Sequence, residues 1–171
     1  MQQVSLSLHP VDVATDDDAT MIDAADAPTA LLLESVPSIA RGACRQLKEK
    51  SLKTRVAAFG CLRQLLITLP GCLAPHAAMV VPGLERALKE DGSNNLRTEA
   101  LLLLQLALSS HPPAVFQPHV GLLMKPVLNL VNDRYYKIAA EALRVCSGFV
   151  RILRPEPPAA GFAGGAGLVQ P

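Results

Sequence analysis

The sequence predicts an all-α fold: an α-solenoid of about three HEAT-type helix pairs over residues 31–155, with disordered ends on either side. Three observations carry this expectation. Apolar residues recur at helical spacing in six consecutive segments, landmarks in those segments return every 43 to 45 residues, and the composition changes sharply at both ends. A period of roughly 40 to 47 with two helices per unit belongs to HEAT or armadillo arrays, and the lack of room for a third short helix favours HEAT.

The first pair opens with Val36, Ile39, Ala40, Ala43, Cys44 and Leu47, the i, i+3, i+4, i+7 stripe of an amphipathic helix. After the charged turn 48–51, Val56, Phe59, Leu62, Leu65, Leu66 and Leu69 form the second helix, closed by Pro70-Gly71. The second pair has Val80, Val81, Leu84, Ala87 and Leu88, then the turn 91–94, then Leu96, Ala100, Leu103, Leu104, Ala107 and Leu108, ending before Pro112-Pro113. Leu101 to Leu104 make this helix apolar nearly all round, as expected for one sandwiched between repeats. The third pair has Leu123, Val127, Leu128 and Val131, the turn Asn132-Asp133, then Ile138, Ala142, Val145, Cys146, Phe149, Val150 and Leu153, stopped by Pro155. Pro37, Pro82 and Pro126 sit near the starts of the three first helices, 45 and 44 residues apart, and His76 and His119 lie 43 apart. Glu49 precedes Arg55 by six residues and Asp91 precedes Arg97 by six, so an acid-base ladder between stacked units is expected there. In the third unit Asp133 is four before Lys137, and favourable placement at a helix N-terminus accounts for it without a ladder.

Charge is laid out unevenly. Residues 1–30 hold six Asp and no Lys or Arg, an acidic lead expected to be a solvated linker. All 16 basic residues fall between Arg41 and Arg154, giving residues 31–155 a net charge of +8. Eight of the last seventeen residues are Gly or Pro, so residues 156–171 are expected to be a disordered tail. No unbroken apolar stretch exceeds the five residues of Ala100 to Leu104, far short of the roughly 18 to 20 that span a bilayer, and no membrane association is expected. The start lacks the basic and apolar regions of a signal peptide and the Arg of a transit peptide, so an intracellular address is expected.

A search for chemistry returns packing explanations. Cys44, Cys61, Cys72 and Cys146 form no CxxC pair, and Cys44, Cys61 and Cys146 lie on or beside apolar stripes, where core packing is expected. His9, His76, His111 and His119 have no Asp, Glu or Cys at ligand spacing, so no metal is expected. There is no GxGxxG after a strand, no GxxxxGK, no GxSxG and no HExxH; neither a cofactor nor a catalytic residue is assigned. A body of +8 could attract phosphate, but stacking aromatics are nearly absent. Tyr135-Tyr136, the one candidate pair, starts a helix and reads as packing or a turn contact, and no nucleic acid is expected. Lys48, Lys50, Lys53 and Arg55 form the densest basic cluster, a solvated turn or a site for an acidic protein.

Longer strings are more specific. Gln46 to Arg55 (QLKEKSLKTR), Leu69 to Leu73 (LPGCL) with His76, Val81 to Leu88 (VPGLERAL), Ser93 to Ala100 (SNNLRTEA), Ser110 to His119 (SHPPAVFQPH) and Arg134 to Pro155 (RYYKIAAEALRVCSGFVRILRP) occur in an order and spacing that resemble the cullin-associated and neddylation-dissociated family. The resemblance runs from about Leu32 to Pro155. It implies a piece of a long HEAT solenoid that wraps cullin scaffolds and their RING-box subunit. Such a protein binds cullins lacking the ubiquitin-like modifier, competes with substrate-receptor modules, and exchanges receptors on SCF-type ubiquitin ligases in cytoplasm and nucleus, without being an enzyme. With the second helix of each pair lining the inner face, Arg63, Gln105, Lys137, Glu141, Arg144 and Arg151 are the candidate partner contacts. A generic HEAT scaffold of the transport-receptor or phosphatase-subunit type and an inactive truncated product are the alternatives. The outermost helices keep apolar stripes, so exposed apolar surface at both ends and self-association are expected.

Overall fold

A computed structural model describes residues 26–154; the acidic lead up to residue 25 and the Pro/Gly-rich tail from residue 155 lie outside the described residues. Described residues form helices joined by turns, with no strand among them: α1 (Asp26–Gln46), α2 (Leu52–Thr68), α3 (Ala77–Leu88), α4 (Asn94–Ser110), a short α5 (Pro113–Phe116), α6 (Val120–Val131) and α7 (Tyr136–Leu153). The pairs α1–α2, α3–α4 and α6–α7 stack in chain order. α4 packs against α2 on one side and α7 on the other, and α3 lies between α1 and α6. This is the expected all-α solenoid.

Local chemistry repeats with the units. Ser51 and Ser93, 42 residues apart, cap α2 and α4, their hydroxyl oxygens accepting from the N–H of Thr54 at 3.3 Å and of Leu96 at 3.2 Å. One-turn 3-10 segments, Ala74–His76 and Gln117–His119, each with a central proline, lead into α3 and α6. Leu69-Pro70-Gly71-Cys72 closes with Cys72 N–H donating to Leu69 C=O at 3.2 Å, and Gly71 has φ +83°, the left-handed third residue of a type II turn.

Several expectations change. Residues 26–30, assigned to the lead, are helical: α1 starts at Asp26 with Pro28 in its first turn, a position where a missing N–H costs nothing. Pro37 therefore lies inside α1, and Pro82 and Pro126 likewise lie in the middle of α3 and α6; each removes one helical hydrogen bond. α5 was not foreseen; Pro113 starts it, and Phe116 is buried edge-on against His111, ring centroids 5.3 Å apart. Leu128, Val150 and Leu153 point outward, while Leu130 and Ile152 take the core places. Cys61 is exposed, because it lies on a face of α2 that no described element covers; Cys44 is buried and Cys146 half-buried. Burial raises the thiol pKa of Cys44, Cys72 and Cys146, as a thiolate loses hydration there.

One core joins all the pairs, and glycines set how closely they approach. A Cβ on Gly83 of α3 would lie 2.6 Å from Leu47 Cδ1, and one on Gly148 of α7 would lie 2.9 Å from Leu108 Cδ1.

Candidate functional site

The second helices, α2, α4 and α7, superpose in sequence with an offset of 42, so that Leu96 corresponds to Ile138 and Ala100 to Ala142, all buried. In this register the outward stripes are Lys53, Ala57, Gly60, Arg63 and Ile67 on α2, then Asn95, Glu99, Leu102, Gln105 and Ser109 on α4. On α7 the same places hold Lys137, Glu141, Arg144, Ser147 and Arg151. All six residues singled out from the sequence fall on this one surface, none of them buried. It is a polar, mainly basic face built from three parallel-running stripes.

Ion pairs organise part of it. Arg63 Nε of α2 lies 3.4 Å from Glu99 Oε2 of α4, an ion contact without hydrogen-bond alignment, which ties neighbouring units. Glu141 pairs with Arg144 one turn along α7. Arg151 donates at 2.7 Å to the carbonyl of Leu108, one of the last-turn acceptors that α4 leaves unpaired, so this side chain also bonds two units together. Lys53 and Lys137 have no carboxylate partner among the described residues. No group of three or more His, Cys, Asp or Glu among the described residues could hold a metal. No helix among them is long and apolar enough to cross a membrane.

Beneath this face runs a ladder that sequence spacing only half revealed. Arg55 of α2, 3% exposed, donates to Glu90 at 3.2 Å, and Arg97 of α4, 7% exposed, donates to Asp133 at 2.8 Å. Each rung joins the second helix of one unit to the turn of the next, 35 or 36 residues on. Glu49 therefore is not the partner of Arg55, whereas the expected pairing of Asp91 with Arg97 is present as an outer ion contact at 3.8 Å, with Asp91 fully exposed. The explanation of Asp133 as a helix-terminal residue alone is also corrected: one carboxylate oxygen accepts from Tyr135 N–H at 2.8 Å, and the other completes the rung. At the place of Arg55 and Arg97 the third unit has Ala139, and the ladder stops.

The outer side of α7 is different again. Tyr136, Leu143 and Val150, spaced by seven, are 71%, 56% and 72% exposed. Their equivalents Leu101 and Leu108, for Leu143 and Val150, are at most 2% exposed because α7 covers them. Nothing among the described residues covers α7 in turn.

A family model described as "CAND1-like, TPR repeats" matches residues 71–169, more than half of the chain. The chain belongs to the CAND1-like family. Cullin-associated NEDD8-dissociated protein 1 of Arabidopsis thaliana is 50% identical over 136 residues, which cover 79% of this chain and 11% of the relative. The Drosophila melanogaster protein of the same name is 44% identical over 151 residues, 87% of this chain and 12% of the relative. Cullin-associated NEDD8-dissociated protein 2 of Rattus norvegicus is 39% identical over 126 residues, 73% of this chain and 10% of the relative. The chain thus spans about a tenth of the length of the curated relatives it matches. Although the family description speaks of TPR units, the offset of 42 to 43 residues in this CAND1-like chain is that of HEAT units, since TPR units repeat at about 34.

Proposed function

We propose that the chain is a non-catalytic, protein-binding segment that lays its α2–α4–α7 face on a cullin and the attached RING-box subunit, within substrate-receptor exchange on SCF-type cullin–RING ubiquitin ligases in cytoplasm and nucleus. Membership of a family whose relatives are named for cullin association supports the partner. The single observation that carries the surface is the common register of Arg63, Gln105, Lys137, Glu141, Arg144 and Arg151 on three successive helices. A face with this many cations suits an acidic protein surface and speeds encounter more than it deepens affinity. The exposed α7 stripe is a stacking surface for a further helix pair, and in the isolated chain it receives a second copy.

The test is capture of a purified, unmodified cullin–RING-box pair by the chain, with Arg63→Glu/Arg144→Glu as the variant. Both side chains reach solvent, so the variant should fold. We expect capture by the unaltered chain and a loss of about tenfold or more in the variant, as for reversal of two interface charges. Absence of capture by the unaltered chain refutes the partner, and equal capture by the folded variant refutes the surface.

A further inference from the structure

The first helices carry a second surface, separate from the α2–α4–α7 face. A groove between α1 and α3 has two lobes of about 460 and 490 Å³ that share Cys44, Lys48 and Met79. Its bed is apolar: Cys44 and Leu47 are buried there, and Met79 is 41% exposed. Its rim is cationic, with Arg41, Arg45 and Lys48 from α1 and the turn that ends it, and Arg86 from α3. The first three sit at i, i+4 and i+7, spread over roughly 10 Å at ~1.5 Å per residue, a like-charged stripe that repels itself. Arg86 donates to the carbonyl of Lys48 at 3.3 Å, which ties α3 to the end of α1 and holds a fourth cation at the rim.

No carboxylate among the described residues pairs with any of the four; Glu34 on α1 and Glu49 in the turn after it make no ion pair. On the second helices, by contrast, Arg55, Arg63, Arg97 and Arg144 each have an acid. Uncompensated positive charge around a cleft gathers anions, and the apolar bed selects among them. A nucleic acid brings phosphates but no aliphatic side chain for the bed, and no aromatic residue lines the groove to stack a base. An acidic peptide brings both groups that the groove lacks. We propose that the α1–α3 groove docks an acidic segment of another protein, whose carboxylates pair with Arg41, Arg45, Lys48 and Arg86 and whose one or two aliphatic side chains cover Met79. The guanidinium forks of the three arginines suit carboxylates, which they can hold by two parallel bonds each. The groove shares no residue with the outward stripes of α2, α4 and α7, so both surfaces can be occupied at once.

Fluorescence anisotropy of the full chain with a labelled synthetic peptide, about ten residues of glutamate around two leucines, tests it. We expect saturable binding that weakens about tenfold when the leucines are replaced by serine. It should weaken by about tenfold or more in Arg41→Glu/Arg45→Glu, whose altered side chains are both exposed. The peptide remade with lysine in place of glutamate should bind that variant more tightly than it binds the unaltered chain, a reversal that an unfolded variant would not give. Zero-length carbodiimide coupling, read by mass spectrometry, should join the acidic peptide to Lys48, the groove's own amine, severalfold more than to Lys125 or Lys137. Absence of binding, equal binding by Arg41→Glu/Arg45→Glu, or indifference to the loss of the leucines overturns the proposal. An oligothymidylate of the same length that binds as tightly as the peptide does so too, since the groove would then read phosphate alone. So does coupling of Lys48, with the peptide excluded, to a carboxylate outside α1 and α3 in the same chain or in an isotope-labelled second copy, because the protein would then fill its own groove.

Discussion

Replacing Arg97 by methionine removes the guanidinium but keeps most of the aliphatic stem, so it isolates the rung between the second and third units. Arg97 is 7% exposed and donates to Asp133 at 2.8 Å and to Asn94 Oδ1 at 2.6 Å, and the Asp133 side chain is only 10% exposed. In Arg97→Met that carboxylate keeps one partner, the Tyr135 N–H. Stranding a buried charge costs roughly 3–5 kcal/mol. Here a cavity of about 560 Å³ lined by Asp91, Asn132 and Arg134 adjoins the pair and admits water, which places the loss at or below the lower end, ~2–3 kcal/mol. For a domain of this size that is a fall in Tm of about 10 °C. The Arg55–Glu90 rung is weaker, because Glu90 is 35% exposed, and Arg55→Met should cost only ~1 kcal/mol. Urea unfolding followed by far-UV circular dichroism measures both. A double-mutant cycle with Asp133→Asn, which keeps an oxygen for Tyr135 N–H, should return a coupling of about 1.5 kcal/mol or more for Arg97 and Asp133. A loss within ~0.5 kcal/mol of zero for Arg97→Met, or no coupling in the cycle, would refute the ladder as a determinant of stacking.

Glycine replacements separate helix propensity from close approach. Gly60→Ala in α2 meets nothing within 4 Å and should stabilise the chain by ~0.5–1 kcal/mol, whereas Gly83→Ala drives into Leu47 and should destabilise it by ~1–2 kcal/mol in the same urea assay. Timed alkylation at pH 8 should label exposed Cys61 first and buried Cys44 last, because burial both shields the Cys44 thiol and raises its pKa, leaving less thiolate; early labelling of Cys44 would contradict the packing of α1. In sedimentation velocity the chain should form species heavier than a monomer as concentration rises, and Leu143→Glu/Val150→Glu should reduce them severalfold. A sharply monomeric unaltered chain would remove the α7 stripe from consideration.

Short-range patterns carried the helices. The apolar stripes, the Pro70-Gly71 turn and the recurring prolines are all set by residues within a few positions of one another, so the six main helices and their pairing into repeats were legible from the sequence. The candidate contacts on α2, α4 and α7 were legible for the same reason, since helical period alone puts Arg63, Gln105 and Arg144 opposite the buried stripe. What tertiary structure decided is everything that depends on how one pair is seated on the next. Arg55 and Arg97 hydrogen-bond to acids 35 and 36 residues away, and Asp91 in the turn before Arg97 makes only a longer 3.8 Å contact. Val150 and Leu143 lie outside although the same places in α4 are covered, and Cys61 faces outward although it flanks an apolar stripe. An amphipathic pattern tells a helix which side is oily; it does not tell whether a neighbour arrives to cover that side, because the covering surface belongs to residues some forty positions along the chain and is positioned by the packing of Gly83 on Leu47 and of Gly148 on Leu108.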